Sequence, residues 1–435
     1  MPKSKILIFG GIGILILTIA FLGAFLILKN SFYQPKKFPK QAINYELTST
    51  PPPLSETPSS QNLTPTTSKF NDFEPCFGID NSQTNPIAYH RILLARSKDG
   101  LHFTRINKLI SDRASVPDIM IDKEGNVRAY FVLITCKEQG QDLDNIPVVA
   151  ISADNGKNWI YKKLIVEAPN DASHCKSPGG SPAPVDPEVL LMPDGTYRLY
   201  ATCPQNTPQG TPMTYVFFST DGIYFRGAKH TYIPTDGIAL DPVVIKFGQT
   251  WNLFNGNSNP ATSQDGITFN PPEKGIFCPF KFKKGEKEKC YVIGDALTLE
   301  NSLGYRIYLF GDTPTEGFKS ILSSDGKNWI MEQKSNEYIL TVTPQATEEY
   351  HKLMFPTVAR LSDGTYLMAY ETFIPGTPSK IIESLSSEKE KEGEQIFSPP
   401  QQSTPPLKKP VGKCGDGICD SIEQTTNTCP LDCLR

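Results

Sequence analysis

A short turn phrase returns five times in the middle of this chain. It reads Ser97-Lys-Asp99-Gly100-x-x-Phe103, Ser152-x-Asp154-x-Gly156-x-x-Trp159, Ser219-x-Asp221-Gly222-x-x-Phe225, Ser263-x-Asp265-Gly266-x-x-Phe269 and Ser323-x-Asp325-Gly326-x-x-Trp329. Glycine accepts positive φ without steric penalty, and Asp bonds its own backbone two residues on, so each copy predicts a tight turn. The aromatic that follows can pin a hairpin to an apolar layer. Short strands repeating at intervals of roughly 45 to 65 residues are the pattern of a β-propeller, one sheet per repeat.

A second hairpin alternates with the first. Its copies contain Asp122-x-x-Gly125, Asp194-Gly195, Phe247-Gly248, Leu303-Gly304 and Asp363-Gly364, each followed by alternating apolar and polar residues, the period of a strand. Before each lies a candidate innermost strand: Val116-Pro-Asp118, Val185-Asp186-Pro-Glu188, Leu240-Asp241-Pro, Gly294-Asp295 and Phe355-Pro356-Thr357. The hairpin His90–Ile106 has no inner strands ahead of it, and the inner pair Met354–Phe373 has no Ser-x-Asp hairpin behind it. Together they complete one sheet. The expected fold is therefore all-β, a closed five-bladed propeller with both ends in one blade, which removes exposed sheet edges.

The 435 residues suffice for one large domain and appendages. A net charge of −3 with no basic stripe excludes nucleic acid as the partner to expect. Residues 1–5 read as a cytoplasmic stub. The uncharged run Ile6–Leu28 is long enough to cross about 30 Å of hydrocarbon as a helix, and reads as a single transmembrane anchor. A cleaved signal peptide is the competing reading; its small-residue cleavage site is missing after Leu28. Ten cysteines favour an oxidising compartment, which puts the rest of the chain outside the cell membrane. Residues 29–69 form a Pro/Ser/Thr-rich linker, 70–375 the propeller, 376–412 a polar linker and 413–435 a cysteine-rich module.

That last module reads Cys414-Gly-Asp416-Gly-Ile-Cys419-Asp420-x-x-Glu423-x5-Cys429-Pro-x-Asp432-Cys433. Twenty residues cannot bury a core, so four cysteines must staple it. Asp416, Asp420, Glu423 and Asp432 are oxygen ligands of a density suited to Ca²⁺, and a bare double-disulfide knot is the alternative. The segment resembles small Cys-Gly-Asp-Gly-x-Cys modules at the ends of secreted bacterial and archaeal proteins. Six further cysteines lie in the propeller region, where Cys278 and Cys290 flank a basic loop that they could clip. Their connectivity is open among fifteen pairings.

Chemistry in such a ring belongs at the funnel mouth. Read by their aspartates, four inner strands align Asp118, Asp186, Asp241 and Asp295, with Pro356-Thr357 in the fifth. Glu188 then stands two residues deeper than the Asp ring and on the face of Asp186. Crowded carboxyls raise some of their pKa values, and glycoside hydrolysis needs one carboxyl protonated and another ionised. At these residues the chain resembles the five-bladed glycoside hydrolases, the arabinanase and β-xylosidase group with the invertase and levanase group. The resemblance implies Asp118 as base, Asp186 or Asp241 as helper and Glu188 as proton donor. By their places in the chain, Asp295 in the same ring and His174 and His351 at the blade-2 and blade-5 entries are expected to contact a carbohydrate substrate. A structural role for the Asp set is the plain alternative, since Asp at a strand entrance can bond neighbouring backbone.

Three functions follow in order: a membrane-anchored extracellular glycosidase-like propeller, a non-catalytic surface propeller binding glycan or protein, and a sialidase-like enzyme. Against the third, Arg128, Arg198 and Arg306 recur at one strand position, which marks them as repeat residues.

Overall fold

The computed structural model describes residues 75–79, 86–134, 146–167, 184–203, 212–232, 240–256, 258–272, 275–284, 287–300, 303–311, 317–342 and 349–382. All fall within the compact unit Thr67–Arg435. The apolar run 6–28, the linker 29–69, the chain beyond residue 382 and the cysteine module lie outside the described residues. Among the described residues no helix is long and apolar enough to cross a membrane.

Five sheets make the ring. Strands β1 (His90–Ser97) and β2 (Thr104–Asp112) are the outer half of a sheet completed at the other end of the chain. β3 (Ala114–Ile121), β4 (Val127–Leu133), β5 (Ile146–Ser152) and β6 (Ile160–Lys163) form blade 1. A two-residue β7 (Ile165–Val166) then joins, in parallel, the edge of blade 2, which is β8 (Val185–Leu191), β9 (Tyr197–Cys203), β10 (Met213–Ser219) and β11 (Tyr224–Tyr232). Blade 3 has three strands, β12 (Pro242–Phe247), β13 (Thr250–Asn255) and β14 (Ala261–Ser263). A separate hairpin follows, β15 (Lys281–Lys284) and β16 (Lys287–Cys290), and then blade 4, β17 (Val292–Leu299), β18 (Gly304–Phe310), β19 (Lys319–Ser323) and β20 (Ile330–Met331). β21 (Tyr350–Arg360) and β22 (Tyr366–Phe373) close the ring in the order β2-β1-β22-β21. Leu93 lies opposite Tyr370 and Ala95 opposite Met368, so both ends share blade 5, as the unpaired hairpins predict.

The Ser-x-Asp turns do what their composition dictates. In β1–β2, Ser97 Oγ accepts from Gly100 N at 2.9 Å, and Asp99 Oδ1 accepts from Leu101 N and His102 N at 2.8 and 2.9 Å. The same bonds recur around Ser219-Asp221 and Ser263-Asp265. Two second-strand residues of the preceding blade lock onto such turns. Arg128 and Tyr130 donate to the carbonyls of Asp221 and Gly222 at 2.6 and 3.1 Å. Arg198 and Tyr200 reach Asp265 and Gly266 at 2.7 and 2.6 Å, and Arg306 and Tyr308 reach Asp99 and Gly100 at 3.4 and 3.1 Å. The recurring arginines are thus ties between blades at the end of the ring where these turns lie. They are scaffold, as their repetition implies.

The core is divided among the seams. Five clusters of buried apolar side chains each bridge one pair of neighbouring blades. Ile92 and Leu94 meet Ala129 and Phe131 between blades 5 and 1, for example, and Tyr200 and Val216 meet Leu253 and Phe269 between blades 2 and 3. Each blade is stable only against its neighbours, so ring closure and hydrophobic burial are the same event. The seam between blades 3 and 4 also takes in Phe282 and Tyr291 from the extra hairpin. Cys278 and Cys290 form a disulfide across that hairpin's base, their Cα atoms 5.3 Å apart, as the basic-loop clip anticipated. Cys76 and Cys203 are disulfide-bonded too, and no cysteine among the described residues is free.

Candidate active site at the mouth of the ring

The inner strands begin irregularly, and the irregularity sets the site. β3, β8 and β21 each break register between Ser115 and Asp118, Val185 and Glu188, and Met354 and Thr357. β17 breaks between Ile293 and Asp295. Just before the proline of four entrances stands a residue of positive φ: Val116 at 49°, Asp186 at 52°, Asp241 at 49° and Phe355 at 46°. Asp tolerates this region, whereas for β-branched Val116 and bulky Phe355 it is a real strain held in place by the surroundings. Glu371, fully buried, does the holding at Val116. Its Oε2 accepts from Val116 N at 2.7 Å and from Ser115 Oγ at 2.8 Å, while its Oε1 lies 2.6 Å from His90 Nδ1.

This geometry corrects the alignment made on aspartates. The shared landmark is the proline: Val116-Pro117-Asp118, Asp186-Pro187-Glu188, Asp241-Pro242-Val243 and Phe355-Pro356-Thr357, with Ile293-Gly294-Asp295 in blade 4. Register confirms it, because Asp118, Glu188 and Asp295 lie opposite Tyr130, Tyr200 and Tyr308 of their second strands. Asp186 and Asp241 therefore occupy an outer ring, and Asp118, Glu188 and Asp295 an inner one. Glu188 is aligned with Asp118, not two residues deeper. Gly294 stands for proline where a Cβ would meet Pro356 of the next blade at 2.4 Å.

Each inner-ring side chain reaches the next blade. Asp118 Oδ2 accepts from Val189 N at 2.7 Å, Glu188 Oε1 from Val244 N at 3.1 Å and Asp295 Oδ2 from Val358 N at 2.6 Å. Thr357 Oγ1 accepts from Ile119 N at 2.9 Å and donates to Asp118 Oδ1 at 3.3 Å. Four of five seams are latched in this way. The fifth has Val243, and aromatic packing takes over there: Phe247 stacks near Tyr305 and Trp329, with ring centroids 4.7 and 5.7 Å apart.

The latches sit in a dry, crowded place. Asp118, Glu188 and Asp295 are all buried. Burial pushes the Asp118 carboxyl well above the usual carboxylate range, and the charge of Asp295 adds to it. Glu188 is raised by burial and then by the charges of Asp118 and Asp295. Asp295 is raised by burial. The three are electrostatically linked, and the charge of Asp295 favours the protonated forms of Asp118 and Glu188. Both oxygens of Asp118 are also bonded within the protein, to Val189 N and Thr357 Oγ1, which gives it a latch role beside the base role that the resemblance implies.

A small recess with room for about one water molecule lies over these groups; Asp118, Glu188 and Asp241 line it with Val243, Ile293 and Phe355. Asp186 is beside it, its Oδ2 accepting from Asp241 N at 3.4 Å. Asp295 does not line it, nor does His351, whose exposed side chain stands near the start of β21. His174 and the set Asp416, Asp420, Glu423 and Asp432 lie outside the described residues. Among the described residues no cluster of three or more His, Cys, Asp or Glu is arranged to hold a metal ion. Sequence reasoning missed Glu371 and the latch role of Thr357. A charged residue inside the apolar strand Tyr366–Phe373, and the recurring proline, were the signals.

No family model matches the chain, and no curated protein does. Solved structures with a similar arrangement include the catalytic domain of a GH62 α-L-arabinofuranosidase from Coprinopsis cinerea, at 13% identity, covering 68% of this chain and 93% of that one, with a TM-score of 0.42. An N-acetylgalactosamine deacetylase from F. plautii, in complex with blood group B trisaccharide, is 13% identical over 62% of this chain and 81% of that one, TM-score 0.43. A structure described under the GH130 family of mannoside phosphorylases, with hydrolases of β-1,2-mannosidic linkages, is 14% identical over 61% of this chain and 85% of that one, TM-score 0.42.

Proposed function

We propose that the propeller is glycosidase-like and acts on carbohydrate at the recess, with Glu188 as proton donor and Asp241, assisted by Asp186, as the ionised carboxylate. The observation that carries this reading is that Glu188 and Asp241 line one recess in opposite environments. Glu188 is buried, which raises its pKa, whereas Asp241 is half-buried at the rim. Hydrolysis of a glycosidic bond needs that division of labour between two carboxyl groups. Burial and the charge of Asp295 would favour the protonated form of Glu188, and the latches of Asp118 and Asp295 would hold the blades around it. Ile6–Leu28 and the disulfides support display outside the cell on an N-terminal anchor.

Incubation with a panel of plant and microbial oligosaccharides, read by product chromatography, tests the proposal. Glu188→Gln and Asp241→Asn should each lower the rate by about 10²- to 10⁴-fold, the usual worth of general acid or base catalysis. Cleavage at near-parental rates in both variants would sink the assignment. A second reading, a non-catalytic glycan-binding propeller, is favoured by the latches, because each deep carboxyl already holds a neighbouring N–H. It wins if the parent binds a glycan, cleaves none, and loses binding on Asp186→Ala.

A further inference from the structure

We propose that the disulfide-clipped hairpin β15–β16 is a cationic arm at the rim of the recess, and that it recruits an anionic polysaccharide bearing carboxylate or sulfate groups. The proposal names the substrate class of the carbohydrate reading above and rests on it. The arm's place follows from topology. It is inserted where the chain passes from the outer side of blade 3 to the inner strand of blade 4, and those crossings lie at the mouth, where β17 begins. Its base is fixed there: Phe282 and Tyr291 pack with Val243 and Ile293, two residues that also line the recess. The Cys278–Cys290 disulfide closes the same base.

Its chemistry is unlike the rest of the chain. Between positions 281 and 290 stand Lys281, Lys283, Lys284, Lys287 and Lys289 against Glu286 and Glu288, a local net of +3 on a chain whose net is −3. Lys281 and Lys287 are exposed, and the 3.4 Å ion pair of Lys281 with Glu288 is a solvent-exposed one that holds neither group strongly. A hairpin with a net positive charge beside a low-dielectric recess concentrates anions at its entrance. Asp118 and Glu188 in the recess are buried with raised pKa values, so they oppose an anionic sugar less than exposed carboxylates would, and the lysines of the arm would offset the charge of Asp241 at the rim. The tip from 283 to 288 has no apolar residue to enter a bilayer, which favours a soluble polyanion over a lipid surface.

The experiment measures binding of the full chain to polygalacturonate, dextran sulfate, neutral dextran and phosphatidylserine vesicles, at two salt concentrations. Affinity for at least one of the two polyanions should exceed that for neutral dextran and fall steeply with salt. Lys281→Gln/Lys284→Gln/Lys287→Gln should weaken polyanion binding about tenfold or more at low salt and flatten its salt dependence. Three outcomes overturn the proposal: preference for neutral dextran, polyanion binding unchanged in the triple variant, or a loss confined to the vesicles. Polyanion binding that needs the arm but is accompanied by no cleavage leaves the arm standing and removes the hydrolase reading.

Discussion

At the scale of single residues, the ring is held by contacts that tolerate almost no change of shape. Gly222 has φ +71°, and a Cβ there would meet Arg128 Nη1 at 2.5 Å and the Tyr130 hydroxyl at 2.8 Å. Gly125 has a similar φ of +85° with nothing within 4 Å. Gly125→Ala should therefore show only the backbone penalty, about 1 kcal/mol, and Gly222→Ala that penalty plus a broken tie between blades, about 2–4 kcal/mol. Urea unfolding of the two variants checks the difference; equal losses would mean that the ties contribute nothing. The residue scale is also where the sequence is least legible. A latch such as Asp118 to Val189 N joins a side chain to the backbone of another repeat. Nothing inside one repeat announces it, so an alignment on acidic letters placed Glu188 and Asp118 in different rings. The proline, which fixes φ at the strand entrance, was the better ruler.

At the scale of elements, the hairpin turns were readable because their chemistry is local. Serine, aspartate and glycine each satisfy a backbone group within three or four residues, and no distant partner is needed. Ser219 Oγ accepts from Gly222 N at 2.8 Å and bonds Asp221 Oδ1 at 2.9 Å. Ser219→Ala should cost about 1 kcal/mol and speed hydrogen exchange at the Gly222 amide specifically. Unchanged exchange at that amide would show the turn to be held by its aromatic alone, since Phe225 is fully buried. The clipped hairpin was only half legible. Its cysteines were visible as a pair, but its seat against Val243 and Ile293 depends on where the ring puts them.

At the scale of the whole molecule, stability must depend on pH through the inner ring. The folded-state pKa values of Asp118, Glu188 and Asp295 are raised, so the folded form binds more protons than the unfolded form above the ordinary carboxyl value near ~4. Their contribution is full below that value and is lost as pH rises through neutrality, at up to about 1.4 kcal/mol per pH unit for each proton at stake. The turn carboxylates Asp99 and Asp325 are lowered, Asp99 despite partial burial and through its bonds to His102, Leu101 and Ser97, so they oppose this and weaken the fold in strong acid. Thermal melts should peak in mild acid and decline toward pH 9, and Asp118→Asn should flatten the decline; a slope unchanged in that variant would refute the raised-pKa account. Fold and closure were legible at this scale because four complete repeats and two half-repeats leave one way to complete a five-bladed ring.

The closure has a mechanical consequence. His90 and Phe373 form the terminal pair of the β1–β22 ladder, and the chain enters and leaves the ring at that same end. Tension between the two flanks, once the short docked segments beside them yield, would load the ladder one hydrogen bond at a time, as a zip and not in shear. The eight paired positions from His90 to Ser97 would then part in sequence, and blade 5 would separate into its two halves while the other four sheets stayed whole. A tether pulling on one flank alone would leave that ladder unloaded.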